Sequence, residues 1–401
     1  MNSMPQRPTF STRTAWDISE TELARAIAER RRCGLPLLDL TASNPTRCGF
    51  IYDEASILAA LSNRESLVYD PDPRGMLRAR EAVAGYYAEH GAEVDPASLV
   101  LTTSTSEAYS YLFRLLCDPG DEVLIAQPSY PLFDFLAQLE NVRLVPYPLF
   151  YDHGWRLDTE SLRRQITART RAVALVHPNN PTGHFTKLDE RHELEALCAE
   201  NGLALIVDEV FLDYGIAGRT DRSFACGPHP VPTFVLSGLS KIAALPQMKA
   251  AWIAAFGPDQ ALFEALNRVE VIADTFLSMN APIQCALPDW LAGRTDLQDQ
   301  ITRRVGTNLC SLDSVIGNQT MISRLEVEAG WYAVLRVPAL TSGEKLAINL
   351  VREHGVSIHP GYFFGFSGDG WLILSLLAPE NEFKAGIEIV SRFFNRIEAE
   401  P

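Results

Sequence analysis

The chain reads as an α/β protein, with a mostly parallel sheet covered by helices and a smaller α+β domain beside it. Three observations predict this. Between about residues 99 and 256, short runs that are apolar throughout alternate with stretches of helical periodicity. Strands that are apolar at every position are strands buried on both faces, the condition of a parallel sheet between two helical layers. After residue 323 the rhythm changes to short strands and helices of a different spacing. Finally, 401 residues that are 47% hydrophobic and 21% charged make an ordinary globular composition, long enough for more than one core.

Taken in order, 19–32 is a charged amphipathic helix, and 37–41 is a short apolar strand leading into Ser43-Asn44-Pro45-Thr46. Strands are predicted at 99–101, 122–126, 172–176, 203–207, 233–236 and 251–255. Helices are predicted at 106–117, 131–140, 158–166 and 187–201, then as one long helical stretch over 258–315. The last part reads as a strand at 331–337, a helix at 343–354, strands at 356–359 and 371–376, and a closing helix at 381–398. The expected division is a large domain over 46–290 and a small domain formed by 1–45 together with 291–401.

Charge and cysteine usage narrow the function. With 35 basic and 50 acidic residues the net charge is -15, which argues against nucleic acid or an anionic membrane as a partner. The first thirty residues carry Arg7, Arg13, Asp17, Glu20 and Glu22 and lack the apolar core of a signal peptide. No stretch is apolar for long enough to span a bilayer. Seven cysteines, an odd number with no Cys-x-x-Cys, fit reduced thiols in a cytoplasm. The histidines at 177, 184, 354 and 359 have no mutual spacing for a metal.

Three residues carry chemistry together. Lys241 follows Ser237-Gly238-Leu239-Ser240, Asp208 ends an apolar run, and Asn180 opens Asn180-Pro181-Thr182-Gly183. A lysine amine forms a Schiff base with an aldehyde. A carboxylate at the end of a buried strand is costly unless paired, and a protonated pyridine would pair it and become an electron acceptor. An asparagine can donate to a ring hydroxyl. These are the protein parts that pyridoxal 5'-phosphate needs. Each has a plainer reading alone: a surface lysine, a helix cap or structural ion pair, an ordinary turn. Ser104-Thr105-Ser106, between a strand and a helix, suits a phosphate at a helix N-terminus, or simple capping by Ser106 and Glu107.

The ordered set Ser43-Asn44-Pro45, Tyr69 before Asp70-Pro71-Asp72-Pro73-Arg74-Gly75, Ser104-Thr105-Ser106-Glu107-Ala108, Pro128-Ser129-Tyr130-Pro131, Asn180-Pro181-Thr182-Gly183, Asp208-Glu209-Val210 and Ser240-Lys241 resembles the class I/II aminotransferases, the fold type I pyridoxal phosphate enzymes of the aspartate aminotransferase kind. The resemblance runs from about residue 16 to 398. It implies that Lys241 carries the cofactor and moves the substrate proton, that Asp208 pairs the ring nitrogen, and that Asn180 bonds the ring hydroxyl. It implies stacking by Tyr130, a cofactor site containing Ser104, Thr105, Ser106, Ser240 and Lys249, and a homodimer in which Tyr69 reaches the neighbouring subunit's phosphate. The implied reaction takes an amino group from a small amine or amino acid and returns it to a keto acceptor. Lyases, decarboxylases and cyclases of the same fold are the alternative.

The departures from that pattern bear on the substrate. Phe211 stands where the family has a tyrosine that donates to the cofactor. Pro246-Gln247-Met248-Lys249 stands for Pro-Gly-x-Arg, keeping a charge but losing the bidentate fork. Gly238 stands where serine is frequent. Ile373 stands where the family has the arginine that clamps the substrate carboxylate through two parallel hydrogen bonds. Arg47, with Asn44 beside it, is the candidate replacement.

Overall fold

A computed structural model describes residues 9–399 apart from Leu132 and Asn318. Among these residues eight strands form one sheet: β1 (Leu99–Thr102), β2 (Glu122–Gln127), β3 (Arg143–Tyr151), β4 (Trp155–Leu157), β5 (Thr170–Val176), β6 (Ala204–Asp208), β7 (Thr233–Gly238) and β8 (Ala251–Phe256). Their order is β1-β8-β7-β6-β5-β2-β3-β4. From β7 across to β3 every pairing is parallel, whereas β8 runs antiparallel to both β1 and β7, and β4 folds back on β3.

The apolar runs mark strands covered on both faces. In β6, Leu205 and Val207 pack with Val83 and Tyr87 of helix Leu77–Glu89 and Leu194 of helix Leu188–Asn201. Ala204 and Ile206 face the other way, toward Leu112 and Phe113 of helix Thr105–Leu116 and Val269 of helix Asp259–Phe276. Alternate side chains of one strand thus feed two separate cores.

The sequence reading passes over β3 and β4, and the reason is chemical. β3 carries Pro146 and Pro148 and sits near the end of the sheet, where a missing N–H is tolerated. Its burial alternates, with Val145, Tyr147 and Leu149 inward, rather than being continuous. The reading also omits helices Glu54–Ala60 and Leu77–Glu89.

In the small domain β9 (Ser323–Arg324), β10 (Tyr332–Arg336), β11 (His359–Pro360) and β12 (Trp371–Ser375) form an antiparallel sheet in the order β9-β10-β12-β11. Helices Thr295–Ile316 and Glu380–Ala399 pack against each other there. The strand expected at 356–359 is two pieces in two sheets. Val356–Ser357 pairs in parallel with Leu38–Asp39, and His359–Pro360 pairs with β12. The first pairing ties the N-terminal segment to the C-terminal one.

The long helical stretch expected at 258–315 is three helices, Asp259–Phe276, Ala281–Ala292 and Thr295–Ile316. Leu277 leaves the first at φ +68°, and Asn280 caps the second by accepting from the Ile283 N–H. The helix expected at 343–354 is α over Gly343–Asn349 and closes in a π turn over Leu350–His354.

Two contacts shape the margin of the site. Arg304 Nη1 donates to the carbonyls of Cys48, Leu377 and Ala378, clasping the segment that follows Ser43 to the chain leaving β12. Gly183 adopts φ +71°, and a Cβ there would strike the carbonyl of Ala329. The glycine of Asn180-Pro181-Thr182-Gly183 therefore permits a close backbone approach, completed by the Ala329 N–H donating to the Gly183 oxygen at 3.1 Å.

Candidate active site

Carboxyl ends of parallel strands converge, and the loops that leave them carry the chemistry. β5 leads to Asn180, β6 ends on Asp208, and β7 runs through Gly238 into the short helix Leu239–Ile242 that holds Ser240 and Lys241. Gly238 is needed for packing: its Cβ position lies 2.8 Å from the Ala251 Cβ and 2.9 Å from the Ala250 oxygen, so a serine would collide with β8.

A cavity of about 300 Å³ opens at these ends. It is lined by nine of the residues singled out from the sequence: Lys241, Asp208, Asn180, Tyr130, Ser104, Thr105, Ser106, Ser240 and Lys249. Their separation in sequence, from 104 to 249, is closed by the sheet order alone.

Asp208 sits at the last position of β6 and is buried. Burial pushes its carboxyl up to about 7, against the opposing pull of the Val210 N–H, bonded to its Oδ1 at 3.1 Å, and of the Lys241 charge. Burial likewise draws the Lys241 amine down to about 8, with Asp208 opposing. The amine lies 4.7 Å from the centroid of Trp331 and 5.5 Å from that of Phe211. These rings desolvate it while offering cation–π contact. Tyr214 does not substitute for the tyrosine missing at Phe211. It is buried, and its hydroxyl donates to the Lys241 carbonyl at 2.6 Å. It fixes the lysine's backbone.

At the other end, Ser104 is the N-cap of helix Thr105–Leu116: its Oγ accepts from the Glu107 N–H at 3.1 Å, and Glu107 accepts from the Thr103 N–H at 2.6 Å. The cap is Ser104 rather than Ser106, the residue that the simple capping alternative names. Thr105 and Ser106 are thereby left lining the cavity at a helix N-terminus, with the exposed Lys249 nearby in the same lining.

These residues fit pyridoxal phosphate. The cavity holds a buried carboxylate for the ring nitrogen and a desolvated amine for the aldehyde. A helix start with two hydroxyls and a lysine suits the phosphate. Among the described residues the buried Asn180 Oδ1 has no partner, which leaves the whole amide free to serve a ligand, with Nδ2 the atom that would donate to a ring hydroxyl.

Four expected residues lie elsewhere in the single chain. Asn44 spends its Oδ1 on the Thr46 N–H and hydroxyl, capping the turn Pro45–Arg47. Arg47 is exposed and has no ion-pair partner among the described residues. Ile373 has no exposed surface, pairs with Val334 and His359, and packs in the core with Phe364 and Phe366. Tyr69 is 79% exposed and lines a separate groove with Met76, Ser278, Met279 and Gln284. Conversely, Ser43, Tyr109, Phe133 and Tyr332 line the cavity without having been assigned a role from the sequence. Aromatics at the start of a strand or on the inner face of a helix carry the same pattern as core, so spacing gives no signal for them.

The fold and the site define a fold type I pyridoxal phosphate enzyme. The family model for aminotransferase class I and II matches residues 47–388, and the chain belongs to that family. It is a pyridoxal phosphate-dependent aminotransferase. It is 24% identical over 372 residues to the glutamate-pyruvate aminotransferase AlaA of Haemophilus influenzae, covering 90% of this chain and 91% of that protein. It is 27% identical over 376 residues to the arginine-pyruvate transaminase AruH of Pseudomonas aeruginosa, covering 90% of each. In fold it resembles an aminotransferase from Escherichia coli, with a TM-score of 0.86 at 21% identity over 97% of this chain and 99% of that one.

Lys241→Ala is expected to abolish covalent retention of the cofactor after borohydride reduction and to remove nearly all turnover. Mass spectrometry of the reduced protein checks the first and a coupled transamination assay the second. A Lys241→Ala protein that keeps the covalent label or full activity contradicts the assignment.

Proposed function

We propose that this aminotransferase moves an amino group from a donor with at most one carboxylate to a small keto acid of pyruvate size, in a cytoplasmic homodimer. The observation that carries the donor part is the charge inventory of the cavity. Its lining contains three charged side chains, Asp208, Lys241 and Lys249. A bound cofactor would engage all three, leaving the neutral hydroxyls of Ser43, Tyr130 and Tyr332 to face the substrate. The acceptor part is supported by the two relatives compared above, both named for pyruvate; the first is named for glutamate as well, and the donor proposed here departs from it. Seven cysteines, all free, support the cytoplasmic location.

When bound, the cofactor supplies an electron sink for the bond broken at the donor carbon. The chain supplies the rest. Lys241, held by Tyr214 and poised near neutrality, takes the donor's α-proton and returns it one position along. Asp208 would keep the ring nitrogen protonated, Tyr130 at the cavity wall would pack against the cofactor, and Thr105, Ser106 and Lys249 would hold its phosphate. Phe211 offers no donor to the ring oxygen, so Asn180 serves it alone.

An arginine fork would contribute roughly 1.5–3 kcal/mol per charge-assisted hydrogen bond to a carboxylate. Ile373, buried among phenylalanines, supplies none of it. Arg47, exposed, without an ion-pair partner among the described residues and close in sequence to Ser43, is the group available to reach a carboxylate when the small domain closes. Glutamate and aspartate are therefore expected to be poor donors. If Arg47 holds the carboxylate, Arg47→Ala raises KM about tenfold or more for amino acids and leaves the matching decarboxylated amines unchanged. If none is held, amines and amino acids react alike in the native protein and Arg47→Ala changes neither. Efficient glutamate turnover that ignores Arg47→Ala contradicts both.

Tyr69 supports the dimer. It sits in an exposed apolar run with Leu67 and Val68, and its groove is bordered by residues following the exposed Phe276 and Leu277. A patch of this kind marks an interface. Mixing Lys241→Ala protein with Tyr69→Phe protein is expected to restore activity, because one site of each hybrid combines an intact lysine with an intact tyrosine. Hybrids that form without regaining activity contradict a shared site.

A further inference from the structure

Residues 328–331, which lead into β10, form a strap bonded to the segments on either side of it. The Glu328 carbonyl accepts from the Ile216 N–H at 2.8 Å, and the Ala329 N–H donates to the Gly183 oxygen at 3.1 Å. The Gly330 N–H donates to the Tyr214 oxygen at 2.8 Å, and the Trp331 carbonyl accepts from the Leu376 N–H at 2.7 Å. Ala329 packs with Phe185 and Leu212 in a small apolar cluster of their own. The strap ends on Trp331, which is buried and edge-on to both Phe211 and Tyr214. Its ring centroid lies 4.7 Å from the Lys241 amine.

Ala329 and Gly330 bring one methyl group between them, so packing gives this strap little grip. Glu328 supplies more. Its Oε1 accepts from Lys187 Nζ at 2.6 Å and its Oε2 from the Phe185 N–H at 3.1 Å, both on the loop that leaves β5 and carries Asn180. The buried His184 ring stands between two carboxylates, with Nδ1 3.6 Å from Glu328 and Nε2 3.2 Å from Glu190. These are ion-pair distances rather than aligned hydrogen bonds. Arg219 Nη1 lies 3.4 Å from Glu328 Oε1. Against the cost of burial, His184, Lys187 and the Phe185 N–H hold the Glu328 carboxyl down to about 2, so it stays ionised at neutral pH. Glu328 lines no part of the cofactor cavity. Its partners converge where the strap meets the loop, three residues from the ring that covers the lysine.

We propose that Glu328 is a positioning residue for Lys241: its carboxylate locks the strap onto the loop after β5 and so holds the Trp331 ring over the lysine's amine. The proposal rests on the reading of Lys241 as the residue that carries the cofactor. Charge-assisted bonds to a carboxylate are short and directional, which suits them to fixing a segment with almost no side chains of its own. The ring in turn keeps water from the amine, and desolvation favours the uncharged form of a basic nitrogen.

The test reads the proton at that nitrogen rather than turnover. Holoenzyme is titrated from about pH 5 to pH 10 and the midpoint of its visible band is measured. Asp208, the charged group that acts on the amine, is the same in every variant. Lifting the ring admits water and favours the charged form, so the midpoint rises. Glu328→Ala is expected to raise it by about one pH unit, and Glu328→Gln, which keeps an acceptor but no charge, by less. Lys187→Gln, which leaves Glu328 in place, should move it in the same direction. Arg163→Ala, which breaks an exposed pair with Glu200, should leave it within about 0.2 unit. In a Trp331→Leu background, Glu328→Ala should move the midpoint by less than about 0.3 unit, the signature of action through the ring. Unmoved midpoints in both Glu328→Ala and Lys187→Gln, an equal rise with and without Trp331, or an equal rise in Arg163→Ala overturns the proposal. Wild-type holoenzyme that carries no label on Lys241 after borohydride reduction overturns the role of the lysine instead, a separate failure.

Discussion

Asp208, buried at the end of one strand, and Lys241, half-buried in the helix that follows its parallel neighbour, are the constraint on which the rest of the structure depends. Desolvation moves each toward its neutral form, the acid up to about 7 and the amine down to about 8. A buried pair of this kind stabilises a fold poorly. Its place in the molecule is explained by a bound group that accepts charge at one end and an amine at the other. The surroundings are arranged for that tension. Trp331 and Phe211 exclude water from the amine, Tyr214 holds the lysine backbone, and the Val210 N–H directs the carboxylate.

The sheet makes this arrangement possible. Five parallel strands from β7 to β3 point their carboxyl ends to one side, so residues far apart in sequence meet without any long connection crossing the site. The small domain then supplies the other wall. Tyr332 comes from its sheet and Ser43 from the N-terminal segment, and the close approach of Gly183 to Ala329 joins that side to the loop after β5. The cavity is thus walled by the large sheet's loops on one side and by Tyr332 of the small sheet on the other.

Much of this was legible in the sequence, for physical reasons. Strands buried on both faces announce themselves as unbroken apolar runs, and β5, β6, β7 and β8 were readable on that account. Lys241, Asp208 and Asn180 were readable because polar residues at such positions need a purpose. β3 was not, because two prolines disguise a strand whose N–H groups are partly unneeded. Tyr109 and Tyr332 were not, because an aromatic facing a cavity and one facing a core have the same sequence pattern. Asn44 was misleading in the other direction: it lies beside the site, but its side chain is used locally as a cap. The absence of the arginine at Ile373 was visible as a departure. Only the structure shows that its place has been closed by apolar packing rather than filled by another polar group.

The measurement that tests the central claim most directly is the half-reaction. Holoenzyme is mixed with an amino donor and no keto acid, the visible spectrum is followed, and the cofactor is then extracted and identified. The account predicts that each chain converts its pyridoxal phosphate to pyridoxamine phosphate with release of the keto product, and that adding pyruvate restores the original spectrum. Donor consumption that leaves the cofactor as pyridoxal phosphate, with ammonia or carbon dioxide as a product, would contradict transamination and place the chain's chemistry among the lyases.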